Sequence, residues 1–229
     1  MVFQAEGTDM GKTAVFGSDK GGVGKTTTVT NTASMLVSKG RTVGILKSDK
    51  NNDLFNWNER RKENGLTPIP IHEAYGDISK EIKKLAPRYD YLLADCAGHD
   101  SQEFRSALTV ADILITLIKP SSSFERDTLT DLTERVRKVQ TVNPKLQPWV
   151  LFTRIETSKA SKVKDAIELD KVLRSDQVWI QPLKTRLSAL DVFESACNEG
   201  AGVHDLQRGP SLGKAKGQIE LYAIEAGLI

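Results

Sequence analysis

The sequence predicts an α/β fold built on a predominantly parallel, twisted sheet with helices on both faces. Short apolar segments recur along the chain, stretches of helical length separate them, and a glycine-rich turn joins the first apolar segment directly to a helix. Most of the apolar segments lack in-and-out alternation, as strands covered on both faces do.

Strand signals fall at Thr13 to Gly17, Thr42 to Leu46, Ile69 to Ile71, Tyr91 to Ala94, Ile113 to Ile118, Trp149 to Phe152 and Val178 to Ile180. Helices read from Thr26 to Lys39, closed by Gly40, and from Leu54 to Asn64, closed by Gly65. A third runs from Glu125 to Gln140, ahead of Pro144. A fourth, Lys159 to Leu173, carries Val163, Ile167, Leu169, Val172 and Leu173 on roughly one stripe. The glycine-rich stretch from Gly200 to Gly217, broken by Pro210, reads as a loop before a last helix, Gly217 to Ala226. No interior linker separates two compositions, so residues 13–229 read as one domain. Residues 1–12 read as a flexible arm or a cloning remnant.

With 229 residues, 39% hydrophobic and 27% charged, the chain is far from disordered, collagenous or membrane-spanning compositions. No apolar run approaches the roughly 20 residues that cross a bilayer, and no secretory signal opens the chain, so the expected compartment is the cytosol. The 32 Lys and Arg nearly balance 30 Asp and Glu, so nucleic-acid binding would have to come from a local patch. Cys96 and Cys197 have no CxxC or His-rich surroundings and read as two buried, reduced thiols.

The strongest signal follows the first strand, where Ser18-Asp19-Lys20-Gly21-Gly22-Val23-Gly24-Lys25-Thr26-Thr27 leads straight into a helix. A strand, a glycine-rich turn and a helix N-terminus let backbone N–H groups converge on a phosphate, and the helix dipole favours negative charge there. Gly21, Gly22 and Gly24 permit the close approach around Val23. Lys25 is placed for the β and γ phosphates, and Thr26 for Mg²⁺, with Thr27 next in the turn. An earlier segment, Gly7 to Thr13, has the look of a second phosphate loop, but its glycines are too close together and no strand precedes it.

The strict GxxxxGK[ST] pattern needs glycine where Asp19 stands. The segment Lys20 to Thr26 resembles instead the deviant Walker A loop of the ParA/MinD ATPases, which opens with an additional lysine. In that family the extra lysine reaches the nucleotide of a second subunit in an ATP-sandwich dimer, and the resemblance assigns this catalytic role to Lys20. A cation delivered in this way stabilises developing phosphate charge, as an arginine finger does.

Such a loop needs carboxylates at neighbouring strand ends. Asp95 ends the apolar strand Tyr91-Leu92-Leu93-Ala94, as a Walker B aspartate does, and Cys96-Ala97-Gly98 follow. Asp49 follows the strand Thr42 to Leu46 and matches the second aspartate of the Asp-x-Asp-Pro-Gln segment of ParA relatives. The resemblance gives it a role in positioning the water and, through water, in holding the metal with Asp95. Lys47, Lys50 and Asn51 stand where that segment has its first aspartate, its proline and its glutamine. Lys47 either slows turnover or binds phosphate itself beside the pocket, or is a solvated strand-end charge paired with Asp49.

The resemblance extends over nearly the whole chain from Thr13 and is nearest to short ParF-like and VirC-like proteins. Asn56-Trp57 and the stretch Tyr89 to Gly98 have counterparts there. Ile118-Lys119-Pro120, with Ser121 and Phe124, resembles the turn that contacts the partner subunit. Phe152-Thr153-Arg154 resembles the strand end at the adenine, which puts Arg154 at the base. Pro182 to Leu187 resembles the segment that closes the pocket and presents cations to DNA, so Lys184 and Arg186, with Lys214 and Lys216, are the candidate DNA patch. The last helix, with Glu220 and Glu225, is no basic membrane anchor.

Taken together, the resemblance implies a ParA-type ATPase for plasmid or other DNA partition or positioning, using ATP and Mg²⁺. It would dimerise on ATP, bind DNA non-specifically on the nucleoid, and be reset by a small DNA-bound partner protein that stimulates hydrolysis. The alternative is a nucleotide-dependent adaptor with little hydrolysis. Ligases and kinases on the same scaffold generally lack the extra lysine.

Overall fold

The computed structural model describes residues 11–18, 21–96, 98, 100–120 and 124–229, the last segment without the side chains of residues 124–127. Lys20, Ala97 and Ser121 lie outside the described residues, as do residues 1–10 and the side chain of Phe124.

The strands are β1 (Lys12–Gly17), β2 (Val43–Lys47), β3 (Ile71–Glu73), β4 (Tyr91–Asp95), β5 (Ile113–Ile118) and β6 (Gln147–Phe152). They form one sheet in the order β3-β2-β4-β1-β5-β6, and every pairing is parallel. In a parallel sheet all the strand C-termini lie on one edge, which is where ligands bind. Gly17, Lys47, Asp95, Ile118 and Phe152 end their strands on that edge. The segment Gly11 to Thr13 enters β1 at the opposite edge, so the earlier glycine segment leads into a strand and not into a helix.

Helices α1 (Lys25–Ser38), α2 (Asp53–Glu63), α7 (Asp191–Asn198) and α8 (Leu212–Glu225) contribute to the core on one face of the sheet. Those on the other are α3 (Ser79–Leu85), α4 (Gln102–Leu108), α5 (Phe124–Gln140) and α6 (Ala160–Arg174). The alternation of the strands sets the division. Ile45 and Leu93 belong to the first core, and Leu46, Leu92 and Ala94 to the second.

Helix α1 is buried without a break from Thr28 to Leu36. Its polar side chains are therefore satisfied internally. Thr28 and Thr32 donate to the carbonyls of Gly24 and Thr28 at 2.8 and 2.7 Å, and Asn31 donates to Thr27 at 2.7 Å while accepting the Val203 amide at 2.8 Å.

Three expectations are corrected. Residues 178–180 form no strand, and the chain beyond them runs along β6 and the segment after it with isolated bridges, Val150 to Pro182 and Ile155 to Ser188, in place of a ladder. Pro182 has no N–H to continue a ladder. The third strand is Ile71–Glu73 and not Ile69 to Ile71, since Pro70 has no N–H to donate to a ladder. The last helix starts at Leu212, so the preceding loop is shorter than its glycines suggest.

Candidate nucleotide site

The phosphate loop leaves β1 at Gly17 and enters α1 through Gly22 and Gly24, whose φ angles of 75° and 89° are left-handed values that glycine adopts without strain. A Cβ on Gly21 or Gly22 would meet nothing within 4 Å, so the loop faces open space. The N-terminus of α1 has no side-chain cap and no acidic residue in its first turn. The N–H groups of its first turn and its dipole therefore favour an anion. Thr153, at the end of β6, fixes the loop by donating to the Val23 carbonyl at 2.8 Å.

At the floor of the loop the Lys25 ammonium is ion-paired with Asp95 Oδ1, and the Thr26 hydroxyl donates to Asp95 Oδ2 at 2.9 Å. Asp95 is 3% exposed. A hydroxyl and a carboxylate held together beside a lysine suit a hard cation and the phosphates it bridges. The cluster therefore fits a nucleoside triphosphate with Mg²⁺. Thr26 and Asp95 would hold the ion, which supplies Lewis-acid stabilisation of phosphate charge when bound.

The structure does not bring Asp49 into this cluster. Its carboxylate accepts the Asn51 amide at 3.2 Å in a turn that leads to α2. Lys47 is not paired with Asp49 either, which corrects that expectation. Its side chain is 1% exposed, and the ammonium donates to Glu73 Oε1 at 2.5 Å and lies 5.1 Å from the centroid of the Phe55 ring. The expectation failed because β3 pairs with β2 in a register that sets Glu73 directly beside Lys47.

Arg154 crosses the loop. With a left-handed φ of 53°, it donates to the Gly22 carbonyl at 3.0 Å and pairs with Glu194 at 2.6 Å. It walls a cleft that also includes Val23, Thr27, Leu190, Phe193 and Ile219. A cleft of mixed lining, with apolar wall from Leu190, Phe193 and Ile219 and polar groups from Thr27, Arg154 and Glu194, suits a flat base beside a phosphate loop. The wall from α7 escaped sequence reading, because eight residues are too few for a clear helical period. The Val192, Phe193, Ala196 pattern before Gly200 was the available signal.

The candidate DNA cations are divided between the two ends of α8. Lys214 lies exposed near its start, while Lys184 and Thr185 bind Glu225 at its end through their amides. About 11 residues of helix, roughly 16 Å, separate the two ends. Lys216 donates to the Leu206 carbonyl at 2.8 Å, and Arg186 lies 3.5 Å from Asp170 and over the Phe152 ring. Lys184 and Lys214 are the exposed members. Cys96 is buried as expected, whereas Cys197 is partly exposed and contacts the Thr30 hydroxyl at 3.1 Å.

The fold and the loop with its deviant sequence define a P-loop ATPase of the ParA/MinD type. The family model described as VirC1 protein matches residues 12–168, and the chain belongs to that family. A curated relative, maintenance of carboxysome distribution protein A of Halothiobacillus neapolitanus, is 24% identical over 191 residues, covering 82% of this chain and 84% of its own. The ATP complex of McdA from Cyanothece superposes with a TM-score of 0.70 at 15% identity, covering 95% of this chain and 97% of that one. The Mg-ADP complex of the septum site-determining protein MinD from Pyrococcus horikoshii gives a TM-score of 0.67 at 17% identity, covering 95% and 99%. Both show the shared fold. The chain is thus of the partition or positioning ATPase group, and no helix among the described residues is long and apolar enough to cross a membrane.

Proposed function

We propose that the protein is a ParA-type ATPase that dimerises around two ATP·Mg²⁺, binds DNA non-specifically in that state, and is reset by slow hydrolysis that a small DNA-bound partner protein stimulates. Its cargo is a plasmid or similar DNA complex, and it works in the cytoplasm on the nucleoid. The observation that carries the reading is the convergence of Lys25 and Thr26 on Asp95 beneath an uncapped helix N-terminus. On this reading Lys25 exchanges Asp95 for phosphate oxygens and Thr26 and Asp95 hold the metal. Gly21 to Thr27 cradle the phosphates and Arg154 borders the base. Lys20 acts in trans, and Asp49 orients the water after its turn rearranges.

The test is retention of a non-specific duplex with ATP, ADP or no nucleotide at low and moderate salt. Binding that requires ATP and weakens with salt supports the reading. Loss of ATP-dependent dimers and of hydrolysis in Lys20→Ala supports the trans role, and wild-type behaviour of that variant removes it.

The second reading, an adaptor that binds ATP and hydrolyses it very little, is favoured by one observation. Lys47, a cation, is buried on the β2 strand end next to Asp95. A clear rise in turnover in Lys47→Asp supports it, and unchanged turnover makes Lys47 a bystander in hydrolysis.

A further inference from the structure

Lys47 occupies an unusual place in the sheet. It is the register partner of Glu73 on the outer neighbour β3 and of Asp95 on the inner neighbour β4. Parallel strands lie about 4.8 Å apart and register partners project from the same face, so the lysine stem has a carboxylate within reach on either side. The ammonium takes Glu73, at 2.5 Å, because Lys25 and Thr26 already occupy Asp95. Near it are the Phe55 ring from α2, at 5.1 Å, and Tyr75, whose hydroxyl donates to Glu73 at 3.0 Å. Glu73 is 39% exposed in its side chain and Lys47 only 1%, so water screens the anion while the cation stays in the interior. The cation, unlike its counter-ion, therefore lies in the low-dielectric interior beside Asp95, where its charge is weakly screened toward the phosphate site.

Among the described residues, Lys25 is paired with Asp95 and Lys47 with Glu73 at this end of the sheet. Phosphate adds negative charge and draws Lys25 off Asp95, and one nearby cation is then without a phosphate partner. We propose that Lys47 is a second, built-in cation of the phosphate site, held in reserve by Glu73, so that this chain binds nucleoside triphosphate with a reduced need for a divalent ion. The inference rests on the ATP-binding reading and concerns how that site is neutralised.

The test measures binding and not turnover. The affinity of the full chain for a fluorescent ATP analogue is titrated in excess Mg²⁺ and in excess EDTA, for wild type, Lys47→Met and Glu73→Gln. Wild type keeps substantial affinity in EDTA. Lys47→Met loses at least about tenfold more affinity in EDTA than in Mg²⁺, as expected for removal of one interior charge near the phosphates. Glu73→Gln releases the ammonium and tightens binding in EDTA several-fold. This opposite sign separates the proposal from a merely structural ion pair, whose loss would weaken both variants alike, and it stands even if Lys47→Met fails to fold. Equal losses for wild type and Lys47→Met on metal removal, or weaker binding by Glu73→Gln in EDTA, overturn it. Absence of nucleotide binding by wild type in both media overturns the ATP-binding reading, and the inference with it.

Discussion

Lys25 and Asp95 are joined in an ion pair across the floor of the phosphate loop, with side chains 14% and 4% exposed. The lysine that is to meet phosphate is thus already held in the site by a carboxylate, beneath a helix end that has no side-chain cap. Asp95→Asn removes the counter-ion of a mostly buried ammonium, at a cost of about 3 kcal/mol. For a chain of this size that lowers the midpoint of thermal unfolding by roughly 6–12 °C. A double variant, Lys25→Met with Asp95→Leu, is expected to recover much of the loss, because no charge then remains buried. Thermal denaturation of wild type, Lys25→Met, Asp95→Leu and the double variant without nucleotide checks this, and simple additivity of the two single effects would refute it.

A second buried pair lies far from the phosphates. Arg61 is 1% exposed, and its guanidinium holds both oxygens of Asp205, at 2.6 and 3.1 Å. Burial alone would raise the Asp205 carboxyl above its ordinary value. Arg61, the Gly202 amide and the Ser34 hydroxyl together bring it below. A carboxyl with a folded value below its unfolded one contributes stability that is complete above the unfolded value, near pH 4, and is lost as the pH falls through the lower folded value. Asp205→Asn is therefore expected to destabilise the protein by about 3–5 kcal/mol at pH 7 and by less at pH 3. Chemical denaturation at the two pH values measures the difference, and an equal loss at both would remove the charge from the explanation.

The central parts of the site were legible because they depend on local chemistry. A strand, three glycines, Lys25 and Thr26 are consecutive, and Asp95 closes an apolar run. The partner of Lys47 was not legible, since Glu73 lies 26 residues away and only the register of a three-residue strand brings it near. The same limit applies to Arg154, whose link to Glu194 spans 40 residues and joins two elements that sequence spacing cannot relate. Separation of the cations along α8 depended on where that helix starts, and the glycines at 213 and 217 hid its first turns. Pattern located groups that act within one segment and missed pairs that form between segments.

Gly200 is predicted to be among the most sensitive positions outside the site. Its φ is 69°, and a Cβ there would lie 2.2 Å from the Arg61 backbone nitrogen and 2.7 Å from the Trp57 carbonyl oxygen. Backbone atoms of a helix cannot yield as a flexible side chain can. The same stretch supports Trp57, whose indole donates to the Ala201 carbonyl at 3.1 Å. Gly200→Ala combines left-handed strain with this clash and is expected to cost more than about 3 kcal/mol. Gly40→Ala is the control, since its φ of 75° carries the strain but a Cβ there meets nothing within 4 Å. Its loss should stay near about 1 kcal/mol. Similar urea midpoints for the two variants would show that the contact contributes nothing.

The two cysteines should differ in reactivity. Burial, reinforced by the neighbouring Asp95 charge, pushes the Cys96 thiol up to about 12, against smaller lowering effects from a Ser48 hydrogen bond and the Lys25 charge. The thiolate is the nucleophile, so at pH 8 only about one part in ten thousand of Cys96 is reactive, and no reagent reaches it in the folded state. Cys197 is also raised by burial, with Thr30 and Asn31 opposing, but it borders an open polar cleft with Asn56 and Arg60. Treatment of the native protein with a chromogenic disulfide at pH 8 is therefore expected to modify Cys197 slowly and to leave Cys96 intact until denaturant is added. Mapping the modified residue by mass spectrometry decides the point. Modification of Cys96 before Cys197 in the native protein would mean that the β4 end opens far more readily than its packing allows, and the paired Lys25 and Asp95 would then be equally accessible to solvent.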